Sequence, residues 1–479
     1  MTNFTIAWIA LPFFIGFVSY LLPKFSRWFA LGITLVSASY AMQIFLAPSS
    51  FDIQLLDNFG VTLLVDQLSG FFILTNALVT AAVILYCWST NRTSFFYMQA
   101  IILHGSVNAS FICSDLISLY VALEVISIAA FLLIAYPRTD KSIWVGLRYL
   151  FISNTAMLFY LVGAVLVYKA NNSFNFTGLI AAPPEAIALI FLGLLAKGGI
   201  FVSGLWLPLT HSESQTPVSA MLSGVVVKAA IFPLVRLALM LEEIDPIVRI
   251  FGVATALLGV FWAIFERDTK RTLAFSTISQ LGFILAAPEV GGFYALTHGL
   301  VKSALFLIAG TLPSRNFRKL QNINVNSSLW IALALASFSI SGFPLLSGFG
   351  AKILTAKNLL PWQVIGMNIA TLGTTITFAK FIFLPHEKSF QDKKKVQPGF
   401  WWAMIILLGG LIAANGFYYQ AYTLTNIVKP LVTIAIGWLS YLFIFKKLVL
   451  KLPRGVEQLE HLVGGMSLML IVVFWMVQV

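Results

Sequence analysis

Six ionisable side chains lie within long apolar runs of this 479-residue chain, where a charge is costly to bury. They are Glu124, Lys197, Lys228, His298, Lys302 and Lys352. Ionisable residues at membrane depth are rare and usually mark an ion or proton path. Carboxyl, ammonium and imidazole groups are also the side chains that gain and lose protons when their surroundings change. We therefore predict that these six groups carry protons or monovalent cations, with no catalytic residues in the enzymatic sense.

The local sequence leaves a structural alternative open for several of these groups. Glu124 lies near the middle of its apolar run, either as a switchable proton carrier or as a carboxyl satisfied by a neighbouring helix. Lys197 precedes a Gly-Gly pair, either as a desolvated lysine that releases its proton or as one that snorkels from a helix end. His298 and Lys302 are spaced i, i+4 on one helix face, which favours a relay over a lone structural histidine.

Two of the apolar runs that carry lysines are interrupted by glycine and proline. Pro208 and Pro217 follow Lys197, and Gly342-Phe-Pro344 precedes Lys352. Freed backbone groups at membrane depth need a protein-lined or watery cavity, so such breaks are typical of transporters. We predict non-helical backbone just after Lys197 and near Lys352. We also expect Glu124 and Lys197 to form a modulated ion pair, because each charge is expensive alone.

These side chains must be positioned by membrane-spanning helices. Hydrophobic residue types make up 59% of the chain and charged types 10%, and the mean hydropathy is +0.91. About 16 apolar runs approach the ~20 residues that cross the hydrocarbon core of a bilayer. We predict an all-α polytopic membrane protein of about 14–16 transmembrane helices. Residues 1–479 form a single membrane domain in this interpretation, and the first helix is retained.

Charged residues alternate between the predicted loops. Odd-numbered loops carry cations, which the positive-inside rule places in the cytoplasm, and even-numbered loops are acidic or neutral. The formal net charge of +12 therefore reflects orientation and contact with anionic lipid, and we expect no nucleic-acid partner. The cations include Lys24, Arg92, Lys141, Arg271, Arg315, Lys393, Lys394, Lys395, Lys451 and Arg454, and the acidic residues include Asp52, Asp57, Asp66, Glu242, Glu243 and Glu289.

Several features of the sequence limit the chemistry of this chain. Cys87 and Cys113 cannot hold an iron–sulfur cluster by themselves, and no glycine-rich nucleotide-binding motif occurs. We predict no cofactor, no metal site and no redox site in this chain. Lys380 and Arg236 lie near the ends of apolar runs and are expected to snorkel or to face lipid. His104 is interpreted as structural.

Four motifs in the middle of the chain resemble those of antiporter-like subunits. They are Trp206–Ala220 with its continuation to Lys228, Asp268–Ser276, His298–Phe306 and Gly342–Phe349, in the order found in that family. Such subunits occur in Mrp-type sodium/proton antiporters, in respiratory and photosynthetic complex I and in membrane-bound hydrogenases. The resemblance covers roughly residues 60–385.

The resemblance implies two inverted five-helix repeats with discontinuous helices, at 96–240 and 247–384, and a polar axis across the membrane centre. The C-terminal helices at 399–479 then include two beyond the 14-helix core of the family. Gln280 stands where many members have histidine, so one relay step there must use water or another residue. The roles implied are a Glu124–Lys197 pair, a central Lys228, a His298–Lys302 relay and an exit at Lys352.

The function implied is that of a proton-translocating subunit of a multisubunit monovalent cation/proton antiporter, similar to the Mrp D subunit. The alternative is the equivalent proton-pumping subunit of an NAD(P)H– or ferredoxin–quinone oxidoreductase, in which partner chains carry the redox sites. Lys302 and Lys352 favour the antiporter, and the sequence of the motif Trp206–Ala220 favours complex I. A membrane scaffold without an ion path is disfavoured by the number of deep charges.

The expected surroundings follow from the same resemblance. Partners would be other membrane subunits, the lipid bilayer and protons, with sodium as a further candidate ion. The location would be an inner, plasma or thylakoid membrane. The coupling ion, the direction of transport and membership of a redox complex, on which any enzyme activity depends, stay open at the level of the sequence.

Overall fold

The structure, a computed structural model, describes residues 2–47, 49–56, 60–387, 396–416, 418–448, 450 and 453–478. Helices α1 to α10 are Thr2–Leu21, Ser26–Leu46, Gln67–Tyr86, Ser94–Ser110, Leu116–Ile134, Asp140–Asn171, Pro184–Gly198, Leu207–Glu213, Thr216–Met221 and Lys228–Met240. Helices α11 to α20 are Asp245–Phe265, Thr269–Ala286, Gly291–Ala309, Phe317–Leu320, Ser327–Ser341, Ser347–Lys357, Val364–Ile382, Pro398–Gly416, Leu424–Ser440 and Leu459–Gln478.

Shorter segments connect or interrupt these helices. Two strands, β1 (Phe51–Leu56) and β2 (Gly60–Val65), form an antiparallel hairpin, and β3 (Val325–Asn326) pairs with β4 (His386–Glu387) in parallel. The hairpin lies in the loop between α2 and α3. Short 3-10 segments are Pro23–Phe25, Phe176–Ala181, Phe201–Trp206, Pro288–Val290, Pro361–Gln363, Tyr419–Ala421 and Gly455–Glu457, and π-helical segments are Leu222–Val226 and Tyr441–Phe445.

The helices have the length and composition of membrane spans. Within the described residues, 13 helical stretches are long and apolar enough to cross a membrane. Helices α4 and α12 and the broken pair α15–α16 fall short of that criterion but pack among the 13, so every predicted span has a helical counterpart. The prediction of an all-α, multi-pass integral membrane protein is confirmed.

The loops collect on two faces according to their number along the chain. Odd-numbered loops contact one another and form what we call the odd-loop face; even-numbered loops contact one another on the even-loop face. The charge alternation therefore corresponds to two sides of the molecule, although Asp57, Lys393, Lys394, Lys395 and Lys451 lie outside the described residues. Contacts on the odd-loop face include Arg92–Gln215, Lys141–Glu213, Arg315–Asp268 and Arg271–Glu457, and those on the even-loop face include Thr62–Asp115, Arg236–Asp66 and Arg249–Glu289.

The centre of the molecule is formed by α12 and α13, in which every residue is buried. Helices α3, α9 and α18 pack against α13, and α11 packs against α12. The C-terminal helices lie on opposite parts of this core: α19 packs against α17, and α20 packs against α7 and the 3-10 segment Phe201–Trp206. A polar side chain on α12 or α13 therefore faces protein rather than lipid.

Two predictions about peripheral cations are wrong. Lys380 is buried, and its Nζ donates to the carbonyls of Ala263 at 2.7 Å and Glu266 at 2.9 Å, which are free at the C-terminal end of α11. Arg236 is also buried and pairs with Asp66, the residue that caps the N-terminus of α3. Both cations find partners inside the protein, so neither needs to reach the membrane surface.

Candidate functional site

The first predicted break lies directly after Lys197. Helix α7 ends at Gly198, and Gly199 has a φ of +73°, in the left-handed region that glycine adopts without strain. The 3-10 segment Phe201–Trp206 follows before α8 resumes a helical path. Non-helical backbone just after Lys197 is therefore confirmed.

Hydroxyl and carbonyl oxygens hold the ammonium group of Lys197. Its Nζ donates to the carbonyl of Leu123 at 3.0 Å and to the hydroxyls of Ser127 on α5 and Ser153 on α6. Ser127 Oγ also donates to the Leu123 carbonyl at 2.9 Å, so the cage is a connected unit. The side chain of Lys197 is 7% exposed, and these neutral oxygens replace the water that it gives up.

The predicted ion pair between Glu124 and Lys197 does not form. No carboxylate oxygen of Glu124 lies within 4.0 Å of Lys197 Nζ, although the two residues are close enough for their charges to interact. Glu124 Oε1 is buried without a hydrogen-bond partner among the described residues. Lys197 Nζ instead donates to the carbonyl of Leu123, the residue before Glu124. The hydroxyls of Ser127 and Ser153 face the ammonium group and supply its remaining contacts.

Lys228 follows a π-helical turn. In the segment Leu222–Val226 the hydrogen-bonding pattern shifts by one residue, which frees backbone carbonyls. Lys228 Nζ donates to the carbonyls of Ser223 at 3.1 Å and Gly224 at 2.7 Å, and its side chain is fully buried. The π-turn therefore provides the polar contacts that a regular helix would not offer at this depth.

Three residues of α13 share one face at intervals of four. Tyr294, His298 and Lys302 lie along this stripe, and all three are buried. Lys302 Nζ donates to the carbonyl of Leu273 at 2.9 Å and lies 5.4 Å from the ring centroid of Phe378. Both ring nitrogens of His298 are buried without a hydrogen-bond partner among the described residues. His298 and Lys302 are thus brought together as predicted.

Hydroxyl groups link the surroundings of Lys228 to those of Lys302. Ser223 Oγ and Thr277 Oγ1 are 2.7 Å apart, and Thr277 Oγ1 donates to the Leu273 carbonyl at 3.0 Å. That carbonyl also accepts from Lys302, while the Ser223 carbonyl accepts from Lys228. The positive charge of Lys228 is close enough to act on both His298 and Lys302. The structure therefore assembles these three residues into one cluster.

A second hydrogen-bonded group surrounds the position where the family often has histidine. Tyr294 donates from its hydroxyl to Gln280 Oε1 at 2.6 Å, and Gln280 Nε2 donates to Thr374 Oγ1 at 3.3 Å. The ring of Tyr294 stacks on Phe283, whose centroid lies 5.4 Å from Lys352 Nζ. Through Phe283, Tyr294 at the start of the stripe on α13 therefore approaches the second broken helix.

The second break precedes Lys352, as predicted. Helix α15 ends at Ser341, Gly342 has a φ of +86°, and α16 begins at Ser347. Lys352 Nζ lies 3.5 Å from the Ser341 carbonyl, a long contact, and the residue is partly exposed. Lys352 stands apart from the charges of the other five site residues.

A polar cavity of about 900 Å³ opens on the odd-loop face, and Lys270 on its lining interacts by charge with His211, as Lys228 and Lys302 do. Its lining includes Glu213 and Arg315, and Lys270, which is 6% exposed, donates to the Ser214 carbonyl at 2.8 Å and Ser219 Oγ at 3.2 Å. His211 is fully buried close to the Leu207 backbone and is near enough to feel the charges of Lys270 and Lys302. A cavity of this size and polarity accommodates water.

Sequence reasoning missed several polar members of this arrangement. Tyr294 had a readable signal, since it continues the i, i+4 spacing of His298 and Lys302. His211 and Lys270 lay in motifs already identified but were assigned to loops. Ser127, Ser153 and Thr277 had no signal, because serine and threonine are common in membrane helices.

The chain is similar to known proteins along most of its length. A family profile described as "NADH:quinone oxidoreductase/Mrp antiporter, TM" matches residues 113–377. The D subunit of the Na(+)/H(+) antiporter of Alkalihalophilus pseudofirmus is 25% identical over 467 residues, covering 87% of this chain and 94% of that protein. The NAD(P)H-quinone oxidoreductase chain 4 2 of Microcystis aeruginosa is 27% identical, covering 88% and 91%.

Two solved structures share the fold. A chain of the membrane-bound sulfane sulfur reductase, an archaeal respiratory membrane complex, superposes with a TM-score of 0.77 at 21% identity, over 90% of this chain and 99% of that one. A chain of the Mrp complex from Dietzia sp. DQ12-45-1b superposes with a TM-score of 0.72 at 18% identity, over 95% and 98%.

Proposed function

The chain belongs to the NADH:quinone oxidoreductase/Mrp antiporter family, and from this premise we propose that it is the proton-translocating subunit of a multisubunit monovalent cation/proton antiporter. The observation that carries the proposal is the setting of Lys228 and Lys302. Both ammonium groups are fully buried and bonded to carbonyl oxygens, with no described carboxylate within 4.0 Å. Neutral partners do not fix the charge of a lysine, so both protonation states remain accessible.

We propose that protons enter from the odd-loop face. Water in the cavity would deliver a proton to Lys270, and His211 would pass it towards Lys228 and Lys302. Each step needs groups within hydrogen-bond reach or one bridging water, as in general acid–base transfer. The proposal is supported by the position of Lys270 on the cavity lining and by the burial of His211 near the charges of Lys270, Lys228 and Lys302.

A lateral path would then run through the six residues predicted from the sequence. Glu124 and Lys197 form one end, Lys228, His298 and Lys302 the middle, and Lys352 the other end. The hydroxyl of Tyr294, held by Gln280, takes the place of the histidine found in many family members. Residues 96–240 and 247–384 would be the inverted repeats that carry this path, since each contains a broken helix followed by further helical structure.

The alternative is the equivalent subunit of a quinone oxidoreductase, and the similarity to chain 4 of Microcystis aeruginosa is the observation that favours it. In both cases the partners are other membrane subunits. The antiporter is preferred because Lys352 is lysine, and the similarity to the Alkalihalophilus pseudofirmus antiporter protein over 94% of its length agrees with this preference.

The test uses the intact complex, purified through a tag on this chain and reconstituted into vesicles. A pH gradient is imposed, and Na⁺ or K⁺ is added without quinone or reductant. An antiporter should dissipate the gradient when the cation is added, and the Lys228→Ala complex should not.

Mass spectrometry of the same preparation identifies the partners. Small membrane subunits without redox groups would support the antiporter. Iron–sulfur or flavin subunits, together with a gradient that forms only on addition of reductant and quinone, would contradict the antiporter and support the subunit of a quinone oxidoreductase. Cation-driven dissipation that is unchanged by Lys228→Ala would contradict a proton path through this chain.

A further inference from the structure

A smaller cavity lies on the odd-loop face, away from the candidate proton path. It has a volume of about 380 Å³ and lies between the C-terminal end of α11, the N-terminal turn of α12 and the segment before α20. The cavity brings three arginines together against an apolar wall. Its lining residues are Trp262, Phe265, Glu266, Arg267, Arg271, Leu450 and Arg454.

The carboxylates near this cavity are fully occupied by Arg271 and by backbone groups. Glu266 accepts from Arg271 Nε at 2.9 Å and from the backbone N–H of Arg267 at 2.7 Å. Glu457 accepts from both terminal nitrogens of Arg271. Burial raises the pKa of Glu266, but the contacts with Arg271 outweigh it and hold that pKa below its usual value. Glu266 therefore stays ionised and committed to Arg271.

Two guanidinium groups on the cavity remain without a counter-charge. In the part of the chain that the structure describes, neither Arg267 nor Arg454 has a carboxylate oxygen within 4.0 Å. Arg267 Nη2 is also buried without a hydrogen-bond partner among those residues. A buried donor left unsatisfied is costly, more so when it is charged. Three arginines and the carboxylates of Glu266 and Glu457 thus leave one net positive charge at the cavity, where the side chain of Arg454 is exposed.

The wall below these arginines is apolar and lies at the end of a membrane span. Trp262 and Phe265 occupy the last turn of α11, and exposed Leu450 faces them across the cavity. Aromatic residues at this level are typical of the membrane interface, where one side is hydrocarbon and the other is wet. Cationic groups above and hydrophobic groups below match the order of a phospholipid from headgroup to acyl chain.

We propose that this cavity binds the phosphodiester headgroup of an anionic phospholipid, with the first carbons of its acyl chains against Trp262 and Phe265. Arginine is suited to phosphate because its planar guanidinium group presents several N–H donors in a fixed geometry. The face carrying the cavity is the one that the positive-inside rule assigns to the cytoplasm, whose leaflet is rich in anionic lipid. Free phosphate shares this chemistry, but it has no apolar part to contact the cavity surface of Trp262 and Phe265.

The test places the purified complex in nanodiscs of phosphatidylcholine with or without phosphatidylglycerol of the same acyl chains. Native mass spectrometry then counts the lipids that stay bound. Wild-type complex should retain phosphatidylglycerol in preference to phosphatidylcholine. Because each cation near the membrane surface contributes about fivefold to anionic-lipid binding, Arg267→Gln with Arg454→Gln should lower this retention roughly 10- to 30-fold.

A matched control removes two cations from the same face without touching the cavity. Arg318→Gln with Lys319→Gln fits this purpose, because both side chains are exposed on the odd-loop face. Retention by this variant should resemble the wild type. Equal retention by the wild type and by the Arg267/Arg454 variant would overturn the proposal, and so would equal retention of the two lipids by the wild type, a comparison that needs no variant.

Inorganic phosphate separates the two sources of the ligand. Amide hydrogen exchange across residues 262–271 should slow when phosphatidylglycerol is present in the nanodisc and should not respond to phosphate in phosphatidylcholine discs. If phosphate alone gives the full protection and the anionic lipid adds nothing, the cavity is a soluble-anion site and the assignment to lipid is wrong. None of these outcomes depends on whether the complex transports protons.

Discussion

Lys197 is the next-to-last residue of α7 and lies just before the first break, whereas Lys352 lies in α16, five residues after that helix begins at Ser347. Lys197 has three oxygen partners from two other helices. Lys352 has one long contact of 3.5 Å, to the end of the helix on the other side of its own break. A lysine close to a helix interruption at glycine therefore occurs twice, once with an enclosed ammonium group and once with a partly exposed one.

The difference arises from what covers each break. Helix α20 packs along α7 and the segment Phe201–Trp206, and Gly465 of α20 lies against Val202. The second break is contacted by the segment that follows α18, where the Tyr422 hydroxyl accepts from the Leu345 N–H at 2.9 Å, but Leu345 itself remains 70% exposed. An enclosed site excludes water and fixes its proton-binding group, whereas an open one exchanges with its surroundings. We infer that the first break sets the state of the path and the second releases protons from it.

The largest expected effect separates the two lysines by transport rate. Lys197→Met removes a proton-binding group from an enclosed site, where no water can replace it, so cation-driven proton movement should fall about 100-fold or more. Lys352→Met should cost several-fold less, because this residue is partly exposed and its ammonium group has a single long contact. Stopped-flow measurement of gradient collapse in vesicles compares the two, with Lys357→Met at the exposed end of α16 as a control. Equal losses would remove the distinction between the sites.

The two left-handed glycines provide a second comparison. An alanine at either position costs about 1–2 kcal/mol in backbone strain. A Cβ on Gly199 would lie 2.2 Å from Leu207 Cδ1, whereas one on Gly342 would lie 2.9 Å from Cδ of Lys352 itself. Gly199→Ala should therefore lower the thermal unfolding midpoint of the complex more than Gly342→Ala does. Gly342→Ala should act mainly on the transport rate and less on stability. A larger loss of stability in Gly342→Ala and a larger loss of transport in Gly199→Ala would contradict the contacts assigned to the two breaks.

The smallest effect tests the cover over the first break. Glu457 anchors the start of α20 to Arg271 of α12, and Glu457→Gln removes the negative charge from that contact while preserving the shape of the side chain. Amide hydrogen exchange should rise at residues 199–206 and stay unchanged at residues 342–346. Glu460→Gln, on the exposed side of α20, is the matched control. A uniform rise at both breaks would indicate general destabilisation.

Charges inside apolar runs could be predicted from the sequence because their cost makes them conspicuous. Lys228, His298 and Lys302 were found this way, and the structure brings them together. The partners that hold them could not be predicted. Ser127 and Ser153 come from helices separated in sequence, and a serine in a membrane helix has no distinctive pattern. For the same reason Glu124 was paired with Lys197 on charge alone, although two hydroxyls were available nearer to the ammonium group.

Helix packing was the other unpredictable part. The positions of α19 and α20 cannot be read from the sequence, because apolar helices look alike to lipid and to protein. For Lys380 and Arg236, proximity to a helix end predicts snorkelling, whereas the free carbonyls of α11 and the carboxylate of Asp66 lie within reach of these cations. The breaks themselves were predictable, since glycine and proline act through local backbone geometry.

The central claim is that buried lysines carry protons rather than fixed charge, and Lys228 tests it most directly. Its side chain is fully buried, and its Nζ touches the carbonyls of Ser223 and Gly224. Lys228→Ala removes the proton-binding group, and Lys228→Arg keeps the charge but does not release a proton, because guanidinium stays protonated in proteins. Gradient collapse in vesicles, with the amount of assembled complex measured on the same membranes, should be lost in both variants while assembly is retained in at least one. Near-normal transport by Lys228→Arg would show that a fixed positive charge suffices and would contradict proton transfer through this residue.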